Sequence, residues 1–201
     1  MKKIFLLFFA LSAMACMAEE FCPKYKIGDT GEGGGYVFFV SEEPFDVFDG
    51  KGGVEKCHYF EMSKEELGVM RLCTCDKKPY CKPFTNMGLG YGKSNTYKII
   101  SANHSGGALS TKNSAAYACY EYKTSTTNRG DWFLPSFEEL GLMYSNLSSI
   151  IKKNMTNDSW HWSSSRYLAY NSHFWCVKFS DGSGDYSGRL LKYCVRAVRA
   201  F

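Results

Sequence analysis

Four histidines, nine cysteines and a run of three serines carry the side chains of this sequence that could do chemistry. His58, His104, His161 and His173 fall in no zinc-protease helix motif. His161 stands between Trp160 and Trp162, just before Ser163-Ser164-Ser165, so a base and nucleophiles are adjacent in the chain. On a strand, however, His161 points away from both tryptophans, and a local hydrogen bond is the expected role. Cys73-Thr74-Cys75 has the close spacing of a redox pair, and with Cys81 it offers three thiolate ligands of the kind zinc takes. Structural staples explain such cysteines more simply in an exported chain. Gly28-Asp29-Thr30-Gly31 and Gly33-Gly34-Gly35 resemble a phosphate cradle, but a strand follows them, whereas a phosphate loop must open a helix. They are therefore read as a tight lead into an early core strand. Asp181 and Asp185 could touch a cation, and a solvated turn is the preferred reading. No metal or cofactor is expected.

The elements that would position these groups are best announced between Gly130 and Leu147. Pro135 closes Trp132-Phe133-Leu134, Ser136 takes a helix N-cap position, and Glu139 completes a capping box. Leu140, Met143, Tyr144 and Leu147 then recur at helical spacing. Upstream, Tyr36 to Val40 reads as a strand, and so does His58 to Met62. Ser41 to Gly53 reads as an acidic, turn-rich exposed segment, and Ser63 to Glu66 as a short capped helical turn. Residues 69–84 form a cysteine-rich excursion. Gly90 to Ile100 is a glycine turn running into an apolar end, and Ser101 to Gly107 is loop. Ser110 or Thr111 caps a helix carrying Ala115, Ala118, Cys119 and Tyr122 on one side. The C-terminal third is β: Trp160 to Ser165, then His173 to Phe179, whose alternate residues face opposite sides. Leu190 to Phe201 is β-prone without clean alternation, so it is either bulged or covered on both sides.

Composition bounds the function. Lys2 and Lys3 followed by apolar Ile4 to Ala15 form an export signal, too short to span a membrane, so residues 1–18 are set apart from the fold. Cleavage after Ala18 is favoured; the alternative is a loose lipobox with a lipid anchor at Cys16. The net charge of +4 includes Lys2 and Lys3, too small an excess for a nucleic-acid face. No later apolar run is long enough for a transmembrane segment. Beyond Cys16, eight cysteines remain: Cys22, Cys57, Cys73, Cys75, Cys81, Cys119, Cys176 and Cys194. An even count in an oxidising compartment reads as a disulfide framework, with the pairing open.

GDTG with GGGYVFFV, GYGKSNTYKII, GDWFLPSFEEL, WHWSSS, FWCVKFSDG and VRAVRAF occur in that order. Together they resemble the bacterial surface-domain family named for the C-terminal domain of a collagen-like adhesin, long catalogued as a domain of unknown function. The resemblance covers about residues 27–201, after a short lead at 19–26. It implies an α+β, C-type-lectin-like fold: two helices flanking mixed antiparallel sheet, with Tyr36–Val40 paired to the tail Val195–Phe201. It also implies a Cys176–Cys194 bridge. Family members often carry a tail cysteine where this chain has Ala197, so Cys119 would need another partner, such as Cys22 or one from 57–81.

Calcium-dependent sugar binding does not carry over. The proline-centred calcium triplet of such lectins is missing, and the loop from Arg166 to Ser172 holds no carboxylate. That loop is where the fold presents its ligand surface, and Arg166, Tyr167, Tyr170 and Asn171 offer an adaptable binding mixture there. Ordinary exposed loop residues are the bland alternative, and Trp132 and Trp175 are assigned to the core. The expected function is a non-enzymatic, calcium-independent, adhesin-like binding module for a glycan or protein ligand, secreted or at the cell surface. A structural envelope protein is the runner-up. An oxidase related to formylglycine-generating enzymes comes third.

Overall fold

In a computed structural model of the protein, which describes residues 21–73, 85–104, 113–154, 159–170 and 172–201, the β-prone stretches build two separate sheets. The first has three strands in the order β1-β2-β8: Tyr36–Phe48, Val54–Met62 and Val198–Ala200. The second has five, β3-β7-β4-β5-β6: Val69–Arg71, Lys192–Cys194, Trp160–Arg166, His173–Lys178 and Gly184–Gly188. β4 and β7 run parallel, and the other neighbours are antiparallel. Three helices pack on them: α1 (Gly92–His104), α2 (Ala115–Glu121) and α3 (Phe137–Asn154). The architecture is α+β. No helix among the described residues is long and apolar enough to cross a membrane.

The capping box forms as the residue types require. The Ser136 amide donates to Glu139 Oε2 at 2.8 Å, and the Glu139 amide donates to Ser136 Oγ at 3.2 Å. Leu140 and Met143 on α3 are buried and Tyr144 is half-buried, while the Leu147 side chain lies outside the described residues. The segment before the cap divides its side chains between two cores. Trp132 and Leu134 enter the cluster beneath α1 and α2, with Trp162, Phe174 and Val195. Phe133 enters the cluster beneath α3, with Phe38, Phe60, Met143 and Val198. An extended backbone alternates its side chains, so three residues serve both cores.

Several expectations change. The 41–53 segment is not exposed turn: β1 continues through Phe48, because Phe45 and Val47 alternate inward and Phe45 stacks on Phe60 at 4.7 Å. The turn proper is Asp49–Gly53, where Asp49 Oδ1 accepts from the amides of Lys51 and Gly53. Ser63 to Glu66 makes no helix; the Ser63 hydroxyl donates to the Glu65 carbonyl across an irregular loop. Residues 92–104 are a third helix rather than a glycine turn and loop. Its buried side chains Ser94, Asn95 and Thr96 are polar, which hides the periodicity. Ser114 is the N-cap of α2, and the expected caps Ser110 and Thr111 lie outside the described residues, as do residues 74–84 of the cysteine-rich excursion.

The tail does not pair with β1. It joins the far edge of β2, with Phe60 opposite Ala200, Glu61 opposite Arg199 and Met62 opposite Val198. Both chain ends thus share one sheet, but β2 lies between them. The tail is covered on both sides. Val195, Arg196, Ala197 and Val198 are all buried as the chain leaves β7 for β8, so alternation has no meaning there.

At Gly90, φ is +79°, and an added Cβ would run into the Asp46 carbonyl oxygen. The Gly90 carbonyl also accepts from the Phe48 amide at 2.9 Å, which binds the α1 lead to the end of β1. Gly90→Ala is therefore expected to lower stability by more than about 1–3 kcal/mol, read as a shift of the urea midpoint without loss of slope.

Candidate functional site

The serine run has no spare hydroxyl for nucleophilic chemistry. Ser163 Oγ donates to the Trp175 carbonyl at 2.8 Å, Ser164 Oγ to that of Pro135 at 3.0 Å and Ser165 Oγ to that of Asn86 at 2.9 Å. All three are fully buried and tie β4 to β5, to the cap of α3 and to the lead into α1. The glycine cradle also has its anion already. The amides of Gly33 and Gly35 donate to the Glu61 carboxylate at 2.8 and 2.9 Å, and Arg199 Nη1 reaches the same group at 2.6 Å. A Cβ on Gly31 would sit 2.6 Å from Glu61 Oε2, so the close approach requires glycine. Glu61, between core residues Phe60 and Met62, was the missed partner.

The carboxylates in and just after the Ser180–Gly184 turn accept local hydrogen bonds. Asp181 Oδ1 accepts from the amide and hydroxyl of Ser183, which hold its carboxyl below the usual range, and Asp185 Oδ1 accepts from the Tyr186 amide.

The expected ligand loop is brought partly together. Arg166 does not reach this surface: it is 7% exposed, opposite Phe174 in the β4–β5 register, and its amide donates to Thr85 Oγ1. Asn171 lies outside the described residues. Tyr167 and Tyr170 do reach the surface, and they find partners the sequence reading did not pair with them. Tyr167 stacks flat on Tyr186, with ring centres 3.9 Å apart and planes within 2°. Tyr170 lies 5.9 Å from Tyr186 and 5.2 Å from His173. Trp175, expected in the core, is half-buried instead. It meets Tyr167 edge-on at 5.2 Å and leans on Phe137 at the start of α3.

Strand pairing explains the grouping. Trp175 sits opposite Tyr186 in the β5–β6 ladder, and cross-strand neighbours share a face. The 167–172 turn folds back over them, its Tyr167 amide donating to His173 O and the His173 amide to Tyr170 O. The result is a continuous aromatic platform of Tyr167, Tyr170, His173, Trp175 and Tyr186. Leu168 (71% exposed) and Tyr170 (52%) stand at its outer edge. The phenol of Tyr167 beside it keeps the Tyr186 hydroxyl above its ordinary range.

A second concavity of about 170 Å³ lies on another side of the molecule, among Lys51, Lys93, Tyr97, Tyr120, Arg129 and Asp131. Its cations are already engaged: Lys51 lies over the Tyr97 ring, Lys93 pairs with Glu55, and Arg129 pairs with Glu121 over Tyr120.

Cys22, Cys57, Cys119, Cys176 and Cys194 carry free thiols. The implied Cys176–Cys194 bridge is not formed. β4 lies between their strands, Cys176 opposite Trp162 and Cys194 opposite His161, so the two side chains leave opposite faces. Cys176 is buried with Trp162 in one core cluster, and its thiol faces the Asp185 carbonyl at 3.2 Å. Burial pushes that thiol up to about 12, and pushes Cys119 higher still. Both behave as small apolar side chains, not as nucleophiles. Cys75 and Cys81 lie outside the described residues. His161 makes the expected local bond, Nδ1 to the Ser159 carbonyl at 3.1 Å, and burial holds its imidazole neutral, down to about 3.

No protein-family model matches the chain, and a search of the curated proteins finds no match.

Proposed function

We propose that this chain is an exported, non-enzymatic binding module whose ligand surface is the aromatic platform at the end of the β4–β5–β6 layer. The observation that carries the reading is the stack of Tyr167 on Tyr186, flanked by Trp175 and by Tyr170, which is 52% exposed. Tyrosine and tryptophan supply large contact area with few torsions to immobilise. Flat aromatic rings suit the apolar face of a sugar or an aromatic-rich protein epitope. Binding without calcium is supported by the Arg166–Ser172 loop, which holds no carboxylate. Absence of catalysis is supported by the fully engaged serine hydroxyls and the two raised thiols.

A C-type-lectin-like fold belongs to the same proposal. Its support is the mixed α+β architecture, the sheet shared by both chain ends and the platform at the expected loop. Export is supported by Lys2 and Lys3 followed by the apolar run to Ala15, with secretion or the cell surface as the destination.

A glycan array run with and without EDTA tests the reading. Binding is expected in both conditions. Tyr170→Ala and Tyr186→Ala should each weaken it at least about fivefold, because losing one stacked anchor costs above about 1 kcal/mol. An array and a surface-protein capture that are both blank would instead favour an envelope role.

A further inference from the structure

We propose that Glu66, His161 and Cys194 form a binding site for a borderline-soft divalent metal ion, with zinc as its natural probe. The three offer a carboxylate oxygen, an imidazole nitrogen and a sulfur, all within 4.8 Å of one another. His161 Nε2 lies 4.0 Å from Glu66 Oε1. Zinc bonds of about 2.0–2.3 Å place tetrahedral ligand atoms roughly 3.3–3.8 Å apart, so side-chain movements of about 1 Å close the site.

The second observation is the histidine itself. His161 is 1% exposed, and its Nε2 has no hydrogen-bond partner. The Ser159 carbonyl can only accept, so Nδ1 carries the proton and Nε2 presents a lone pair. A buried acceptor without a donor is an exception that asks for an explanation. A metal-binding histidine has this arrangement, with the remote nitrogen bonded to a carbonyl and the near one bare.

Three elements converge to hold the set rigid. His161 on β4 sits opposite Cys194 on β7, so both project from one face. Glu66 comes from the loop before β3, clamped where the Leu67 amide donates to Val195 O and the Val195 amide to Gly68 O. Phe179 stacks on the imidazole at 4.2 Å and fixes its plane. A surface cleft of about 270 Å³, lined by Val69, Ser159, Trp160, Lys192 and Tyr193, borders Cys194.

Charge balance agrees. On binding, Cys194 releases its thiol proton to solvent, so thiolate and carboxylate together match a dication. The nearby Arg196 guanidinium is held by Nη1 bonds to the carbonyls of Ser63 and Lys64. One sulfur, one nitrogen and a single carboxylate favour zinc over calcium, which needs six or more oxygens.

The full chain, reduced and freed of metal, should take up one zinc ion at this site. Its cobalt form should show thiolate-to-metal charge-transfer absorption. Zinc should slow alkylation of Cys194, mapped by mass spectrometry, while exposed Cys22 reacts unchanged. Cys194→Ser and His161→Ala should abolish the cobalt absorption, and Cys176→Ser should keep it. The alkylation assay uses the unaltered chain and stands even where a variant does not fold. Alkylation of Cys194 indifferent to zinc, cobalt absorption surviving Cys194→Ser, or Cys194 found in a disulfide would each overturn the proposal.

Discussion

Glu61→Ala is expected to be the most damaging single substitution, lowering stability by about 3–5 kcal/mol. The carboxylate is fully buried, and it joins the first described segment to the last strand: the amides of Gly33 and Gly35 on one side, Arg199 on the other. Removing it strands two amide protons and leaves a half-buried guanidinium without its anion. In a chain of this size each kcal/mol lowers Tm by roughly 2–4 °C, so a loss of about 6–20 °C should appear by calorimetry. Glu61→Gln keeps one acceptor oxygen and should cost less. Pairing Glu61→Ala with Arg199→Ala should return a coupling energy of about 1–3 kcal/mol. Coupling near zero would mean that the ends of the chain are held by packing alone.

Glu139 should produce the second large effect, and its signature depends on pH. Its carboxylate closes the capping box and also accepts from the Gly92 amide at 3.1 Å, so it binds the start of α3 to the start of α1. Burial raises its pKa from 4.5 to about 7, against the opposing pull of the backbone donors at Ser136 and Gly92. The folded chain therefore holds this proton more tightly than the unfolded chain. Stability linked to Glu139 is complete below about pH 4.5 and is lost as pH rises through about 7, a change of roughly 3 kcal/mol at about 1.4 kcal/mol per unit. Urea midpoints at about pH 4.5 and pH 8 should show this fall, and Glu139→Gln should flatten it. Glu139→Ala should lower stability at every pH by about 2–5 kcal/mol, because two buried amides lose their acceptor. A Glu139→Gln profile as steep as that of the parent would place the titration elsewhere.

Both residues show where reading the chain in one dimension succeeds and fails. Glu139 was legible because its partner Ser136 is three residues away, and a capping box is a local pattern. Glu61 was not, since its partners stand 26, 28 and 138 residues distant and nothing on β2 announces them. Helix α1 escaped notice for a related reason. Asn95 is fully buried, but it exchanges hydrogen bonds with the Asn86 backbone, so a polar residue occupies a core position. Likewise Tyr167 and Tyr170 were legible as surface residues, while the stacking of Tyr167 on Tyr186 depends on the β5–β6 register.

By itself the sequence determined what neighbours decide: the capped helix α3, the alternation of β5, the strands opening at Tyr36 and closing at Met62, and the α+β class. Tertiary structure alone decided what distance decides. It placed the tail against β2 and not β1, set Cys176 and Cys194 on opposite faces of one sheet, and buried Arg166 beneath the surface it was expected to line. It also gathered Glu66, His161 and Cys194 from three separate elements. Capping and alternation are fixed by backbone geometry over a few residues. Strand partnership depends on which edges meet once both cores are buried.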